Sequence, residues 1–259
     1  MNYWQERMAK SQANLTDKNI KQIEKQLKKY YGKTMDEIIK SFEAVFNKIL
    51  AQQEQGKEIT PADLYKLDSY WKSQAQLRLE LQKLGDKEIS AMSKIFELHF
   101  FDIYYSIAIP GAAAFTTVSA EMAQQMINQI WVADGKSWSQ RIWKNTELLA
   151  ETLNEELIHC VVAGKKTTDL KNLLQERFLV SYEKADSLVR TEMSHIQNQA
   201  AKKRYQDYGV QEVEILADED ERRCHHCGKL HGKRYPINAT MPVPAHPNCR
   251  CSIVPVVDW

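Results

Sequence analysis

Long apolar runs and an excess of one charge are both missing from this sequence. The 259-residue chain has 35 basic and 34 acidic residues and a net charge of +1, so no overall field indicates a nucleic acid or an anionic membrane as partner. The most apolar stretch, 95–115, contains Glu97, His99 and Asp102, whereas a membrane-spanning helix needs about 20 predominantly apolar residues. We expect no transmembrane segment. We expect no signal peptide either, because residues 1–7 lack its basic-then-apolar order.

Cysteine is scarce and unevenly placed. Four of the five cysteines lie between residues 224 and 251, as a C-x-x-C pair and a C-x-C pair with 21 residues between them. So few cysteines indicate synthesis in a reducing compartment, where structural disulfides are rare. The fifth, Cys160, stands at helical spacing from Leu157 and Val161 and is predicted to be a small buried residue.

The clustered residue types are those that zinc prefers. Structural zinc takes four ligands, thiolate sulfurs or imidazole nitrogens, in a tetrahedral site. A C-x-x-C turn brings its two thiols together, and in an extended segment the thiols of a C-x-C pair share a face. The candidate ligands are Cys224, Cys227, His246, Cys249 and Cys251. These are five donors for four coordination positions. Cys224 and Cys227 are expected to bind, and the spacing does not decide which two of the other three complete the site.

Other interpretations of the cluster are a disulfide, free thiols or a catalytic zinc site. A redox-active C-x-x-C needs a thioredoxin-like strand and helix around it, which this sequence does not provide. Catalytic zinc keeps one coordination position open, whereas four thiolates would fill the site. We therefore expect structural zinc, with His225, His226 and His231 placed behind the ligands or on the surface.

Residues 1–209 are predicted to be almost entirely helical. Apolar residues recur at helical spacing in successive segments, separated by glycines and by N-terminal capping residues such as Thr60-Pro61 and Ser119. The predicted helices cover 17–31, ending at Gly32; 35–50; 61–84, ending at Gly85; 86–109; 119–132; 138–163; 167–178; and 182–208.

The pattern changes after Gly209. Apolar and polar residues alternate over 210–217, which predicts a strand, and 253–257 predicts a closing strand. A loop-rich segment of about 50 residues buries too little apolar surface to be stable alone, and a bound metal can supply the missing free energy. We therefore predict that residues from about 210 to 259 form a zinc-stabilised module.

The predicted fold class is mainly α, with an elongated helical region followed by a small α+β zinc-stabilised C-terminal module. We divide the chain into a helical N-terminal region, 1–134, and a second domain, 135–259, which contains further helices and the zinc-bound β segment.

Three further motifs are interpreted as structural. Arg190-Thr191-Glu192 lies within a helix without a glycine-rich phosphate loop, so an ion pair or a hydrogen bond to the zinc segment is expected. The acidic run 218–221 is expected to be a solvated turn. Lys202-Lys203-Arg204 and later basic residues make the C-terminal third locally basic, which allows nonspecific DNA contact, although acidic neighbours favour an ordinary mixed-charge surface.

The C-terminal motif resembles that of the Mu F-like head morphogenesis proteins, called minor capsid proteins in phages of Gram-positive bacteria. The residues that carry the resemblance are Asp218, Cys224-x-x-Cys227, Gly232-Lys233 and Pro242-x-Pro244-x-His246-Pro247-Asn248-Cys249-Arg250-Cys251. The segments 138–143 and 188–192 and the opening Tyr3-Trp4-x-x-Arg7 look like parts of the same family, so the resemblance extends over nearly the whole chain.

This resemblance implies a structural virion protein of the phage head, made in the bacterial cytoplasm. Its expected partners are the portal protein and a major capsid or scaffolding protein, in procapsid assembly and DNA packaging or delivery, without a membrane or a small-molecule substrate. No enzymatic activity is expected; some family members carry a fused C-terminal toxin domain, which we do not expect because the sequence stops at Trp259. The alternative is a zinc-dependent DNA-binding or nuclease-like protein, in which His246 and Asn248 would take part.

Overall fold

A computed structural model describes residues 3–53, 55–56, 58–109, 116–217 and 223–257. Helices make up 72% of the described residues, so the mainly α prediction is confirmed. The helices are α1 Tyr3–Gln53, α2 Pro61–Tyr65, α3 Asp68–Ser106, α4 Ala120–Ile127, α5 Trp138–Val162, α6 Thr167–Asp207 and α7 His225–Leu230. None of them has the length and apolar content needed to cross a bilayer.

Three helices are longer than predicted, and the predicted ends inside them are wrong. α1 continues through Gly32, α3 through Gly85, and α6 through the predicted break at 179–181. A glycine within a helix costs only about 1 kcal/mol, which is less than burial of the apolar residues on either side provides. The helix predicted to begin after Thr16 instead includes it, and the Thr16 hydroxyl donates to the Gln12 carbonyl one turn earlier, at 2.9 Å.

Gly85 allows close packing and does not end its helix. A Cβ atom at this position would lie 2.6 Å from Cζ3 of Trp143, a residue of α5. Such an approach is shorter than van der Waals contact. The absence of a side chain at Gly85 therefore makes room for the indole ring, whereas a Cβ at Gly32 would have nothing within 4 Å.

The two glycines should respond oppositely to alanine. Gly85→Ala is expected to lower the free energy of unfolding by about 1–3 kcal/mol, because the Trp143 ring must shift. Gly32→Ala is expected to raise it by about 0.5–1 kcal/mol, because alanine favours the helix and meets no neighbour. Urea denaturation of both variants would measure this, and a Gly85→Ala protein at least as stable as the wild type would contradict it.

The chain packs as two compact units, each discontinuous in sequence. Unit 1 comprises Met1–Glu24, Met92–Trp138 and Asp186–Trp259, and unit 2 comprises Lys25–Ala91 and Ser139–Ala185. The two units do not test the domain boundary that was predicted between residues 134 and 135, so this boundary stays a prediction.

Unit 1 contains a three-stranded antiparallel sheet. Its strands are β1 Glu212–Leu216, β2 Arg234–Pro236 and β3 Ser252–Val256, in the order β2-β1-β3. Val213 on the central strand pairs with Tyr235 on one side and with Pro255 on the other. Both predicted strands are confirmed. The stretch 223–253, called the cysteine segment below, carries Cys224, Cys227, Cys249 and Cys251 and leads into β3.

Candidate metal centre

The C-x-x-C pair is placed by the start of α7. Cys224 is the N-cap residue of this helix, and its sulfur accepts a hydrogen bond from the Cys227 backbone N–H at 3.3 Å. An N-cap side chain and the backbone of the third helical residue meet in this way at many helix starts. The local structure therefore turns both thiols towards the same place, and Cys227 is only 4% exposed.

The five predicted ligands lie together around Cys227. The Nε2 atom of His246 is 3.3 Å from the Cys224 sulfur and 3.1 Å from the Cys227 sulfur, and the Cys227 and Cys249 sulfurs are 3.8 Å apart. Cys227 belongs to two groups of donor atoms that lie within 4.8 Å of one another, one with Cys224 and His246, the other with Cys249 and Cys251.

These separations fit a metal site and do not fit disulfides. Two sulfurs bound to one zinc ion at 2.3 Å in a tetrahedral arrangement are about 3.8 Å apart, whereas disulfide sulfurs are about 2.05 Å apart. All five cysteines of the chain are free thiols. The cluster of Cys224, Cys227, His246, Cys249 and Cys251, called the cysteine cluster below, can hold a metal ion.

The His246 ring has the orientation of a metal ligand. Its Nδ1 atom lies 2.8 Å from the Pro247 carbonyl oxygen, and since a carbonyl only accepts, Nδ1 must carry the proton. This hydrogen bond raises the pKa of His246 and leaves the Nε2 lone pair directed at the sulfurs of Cys224 and Cys227. A histidine that binds a metal through one ring nitrogen usually donates a hydrogen bond from the N–H of the other to such an acceptor.

The thiols of the cysteine cluster influence one another's protonation. The hydrogen bond from Cys251 lowers the pKa of Cys249 to about 5, and the same hydrogen bond raises the pKa of Cys251. Burial raises the pKa of Cys227 to about 12. Several thiols this close together ionise jointly only when a positive ion offsets their charges, and coordination to a metal deprotonates thiols outright.

Comparison with known proteins bears on this part of the chain. The family described as Phage Mu protein F like protein matches residues 151–254, which include α6, β1, β2, residues 252–254 of β3 and the whole cysteine cluster. Over residues 151–254 the chain matches the Mu F-like family. The resemblance inferred from the C-terminal motif is thereby confirmed, and the match supports a phage head protein and hence a virion component.

A curated relative shares part of this sequence. The chain is 25% identical over 144 residues to a protein of Enterococcus faecalis named NAD(+)--arginine ADP-ribosyltransferase EFV, and the alignment covers 48% of this chain. The chain spans only 29% of the length of that relative. No solved structure matches the chain.

Within the Mu F-like segment, Arg190-Thr191-Glu192 makes structural contacts of the predicted kind. Arg190 forms ion pairs with Glu24 and, at 2.9 Å, with Asp186. The Glu192 carboxylate accepts the Trp131 indole N–H at 3.0 Å. The Thr191 hydroxyl accepts the backbone N–H of Asn248 at 3.0 Å, which is the expected hydrogen bond to the cysteine segment.

The three other histidines near the C-x-x-C pair, His225, His226 and His231, lie outside the cysteine cluster. His225 and His226 are exposed on α7, and the His231 ring accepts the Ala217 backbone N–H at 3.3 Å. The acidic run 218–221 lies outside the described residues.

The Mu F-like segment uses its basic run for internal contacts. Lys202 donates to the Ala239 carbonyl at 2.8 Å, and Lys203 forms an ion pair with Asp207. The guanidinium of Arg204 lies over the rings of Tyr104 and Tyr208, 4.9 and 4.5 Å from their centroids. Because these cations are engaged within the chain, they add little support to the expectation of DNA contact.

Sequence reasoning missed that α6 carries buried polar residues, one of which, Asn198, contacts the cysteine segment. The buried polar residues on this part of α6 are Glu192, Ser194, His195, Gln197 and Asn198. A helix that is polar in sequence would ordinarily face water on one side. Between Met193 and Ala200, both fully buried, five of the six residues are polar. This clustering is the signal that could have indicated an internal polar contact.

Proposed function

We propose that this chain is a minor structural component of a phage head, acting in procapsid assembly at the portal and in DNA packaging or delivery. The observation that carries the proposal is the match of residues 151–254 to the Mu F-like family. The proposed partners are the portal protein and a major capsid or scaffolding protein of the same phage. Contact with packaged DNA would be nonspecific.

The cysteine cluster supports structural zinc as part of this function. Thiolate and imidazole donors are the ligands zinc prefers, and soft thiolates disfavour magnesium and calcium. Five donors are available for four positions, so no position is left open for a substrate or an activated water molecule. In this proposal the ion keeps a small, loop-rich segment folded.

The same geometry supports a role without catalysis. Both ring nitrogens of His246 are engaged, Nδ1 with the Pro247 carbonyl and Nε2 with the two sulfurs, so this histidine is not placed to act as the general base of a nuclease. The activity in the name of the enterococcal relative is not proposed for this chain, because the alignment covers 29% of that protein.

The proposal predicts that the chain enters head particles. When it is co-expressed with the portal, major capsid and scaffolding proteins of its phage, the wild-type chain should sediment with the assembled shells and be detected there by mass spectrometry. Cys227→Ala, which removes the donor shared by both groups, should reduce its incorporation strongly. Cys160→Ala, a buried cysteine outside the cluster, is the matched control and should be incorporated like the wild type.

Two outcomes would contradict the proposal. One is assembly of normal shells that contain the portal while the wild-type chain stays at the top of the gradient. The other is cleavage of DNA by the purified chain with Zn²⁺, Mg²⁺ or Mn²⁺ that is lost in His246→Ala, which would favour a nuclease.

A further inference from the structure

The outer edge of β3 is bound by side chains and has no neighbouring strand in the described sheet. Gln5 donates to the Pro255 carbonyl at 3.0 Å, and the Tyr205 hydroxyl donates to the Ile253 carbonyl at 3.2 Å. Asn198 makes two contacts with this stretch: its amide nitrogen donates to the Cys251 carbonyl at 2.9 Å, and its amide oxygen accepts the Ile253 N–H at 3.0 Å. A single side chain thus fixes the backbone on both sides of Ser252.

Asn198 is itself held in place. It is 4% exposed, and its amide nitrogen also donates to the Ser194 carbonyl one helical turn earlier, at 2.9 Å. A buried asparagine with a donor and an acceptor both in use has one favourable orientation. Its two contacts therefore constrain the direction in which the Cys251 side chain leaves the backbone.

The other end of the C-x-C turn is held by the same helix. Thr191 accepts the backbone N–H of Asn248 at 3.0 Å, and Asn248 has a positive φ of 59°, the conformation of a sharp turn. Positions 191 and 198 are two helical turns apart on one face of α6, roughly 10 Å along its axis. α6 therefore holds both ends of 248–253, the stretch that carries Cys249 and Cys251.

We propose that Asn198 is the positioning residue of the metal centre, placing the Cys251 sulfur beside those of Cys227 and Cys249 so that it serves as a ligand. The inference rests on the proposed metal binding and goes beyond it, because it assigns Cys251 to the ligand set and assigns control of affinity to a residue that does not touch the ion. Residues that orient metal ligands typically change affinity by about 10–100-fold when they are replaced.

The test compares neighbouring buried residues of α6 in the full-length protein. Asn198→Ala removes both contacts with the cysteine segment. Asn198→Asp keeps the size and the acceptor but loses the donor to the Cys251 carbonyl, and serves if the alanine variant does not fold. Gln197→Ala is the matched control, because Gln197 is 6% exposed and its side chain accepts from Thr16 of α1 instead.

Two quantities are measured: the zinc dissociation constant, by competition with a chromophoric chelator, and the absorption spectrum of the Co²⁺-loaded protein. Asn198→Ala and Asn198→Asp should weaken zinc binding by about 10–100-fold and lower the thiolate-to-Co²⁺ charge-transfer absorbance per bound ion. Gln197→Ala should lower the thermal midpoint but leave affinity and spectrum like the wild type. A purely structural role of Asn198 would not change the spectrum of the bound ion.

The outcomes separate this inference from the proposed function. Wild-type affinity and spectrum in both Asn198 variants, with zinc bound to the wild type, would overturn the inference alone. Failure of the wild-type chain to bind Zn²⁺ or Co²⁺ would overturn the metal centre and the inference with it.

Discussion

Removal of the metal ion by chelation is expected to release residues 223–257 from the fold while most of the helical structure remains. The regular structure of this segment is limited to the six-residue α7 and the short strands β2 and β3. Structural zinc sites contribute on the order of 10 kcal/mol to the folding of small modules, more than such a segment can provide by burial alone. Hydrogen exchange before and after chelation should show loss of amide protection in 223–257, with little change in the far-ultraviolet circular dichroism.

Replacement of Cys227 by alanine should have the same effect without a chelator, because Cys227 belongs to both donor groups. The control is Cys160→Ala, which removes a fully buried thiol of α5 that lies outside the cluster. Elemental analysis should find about one zinc ion per chain in the control and none in Cys227→Ala. A protein that loses its metal yet keeps full amide protection over 223–257 would refute a structural role for the ion.

The grouping of Cys224, Cys227, His246, Cys249 and Cys251 could be predicted from the sequence, because residue types that bind metals stand out at short spacings. Cys224 and Cys227 need only one helix start to converge, and that start is encoded locally. Asn198 could not be predicted in this way, since its partners, Cys251 and Ile253, are more than 50 residues away along the chain. Its role depends on the docking of β3 against α6, which the sequence pattern does not specify.

The helices show the same division between local and distant causes. Two of the predicted helix starts are confirmed: the Ser119 hydroxyl accepts the Met122 N–H at 3.2 Å, and α2 begins directly after Thr60, whose backbone N–H donates to Asp63 at 3.1 Å. The helix ends predicted at Gly32 and Gly85 were wrong, because a glycine can end a helix or make room for a neighbour. Gly85 does the latter, and its neighbour Trp143 belongs to another helix.

Unit 2 contains a buried acid that the sequence does not reveal. Glu88 of α3 is 0% exposed, and neither of its carboxylate oxygens has a hydrogen-bond partner among the described residues. The nearby Tyr31 hydroxyl donates to the Ser181 carbonyl at 3.4 Å and accepts the Asn145 amide at 3.2 Å. Burial raises the pKa of Glu88 to about 7. The nearby Tyr31 hydroxyl lowers this pKa, but it offsets the effect of burial only in part.

This acid should make the free energy of unfolding depend on pH. The pKa of Glu88 rises from an ordinary value of 4.5 to about 7 on folding, so the folded chain holds a proton that the unfolded chain has lost. The stabilisation is complete below pH 4.5, declines as the pH rises towards 7, and is gone above it, a loss of about 3 kcal/mol.

Glu88→Gln, neutral at every pH, should lack this decline, and Glu151→Gln, an exposed residue of α5 in the same unit, should keep it. Urea denaturation between pH 4.5 and 8 measures the difference, and identical pH profiles for wild type and Glu88→Gln would show that Glu88 does not titrate in this range.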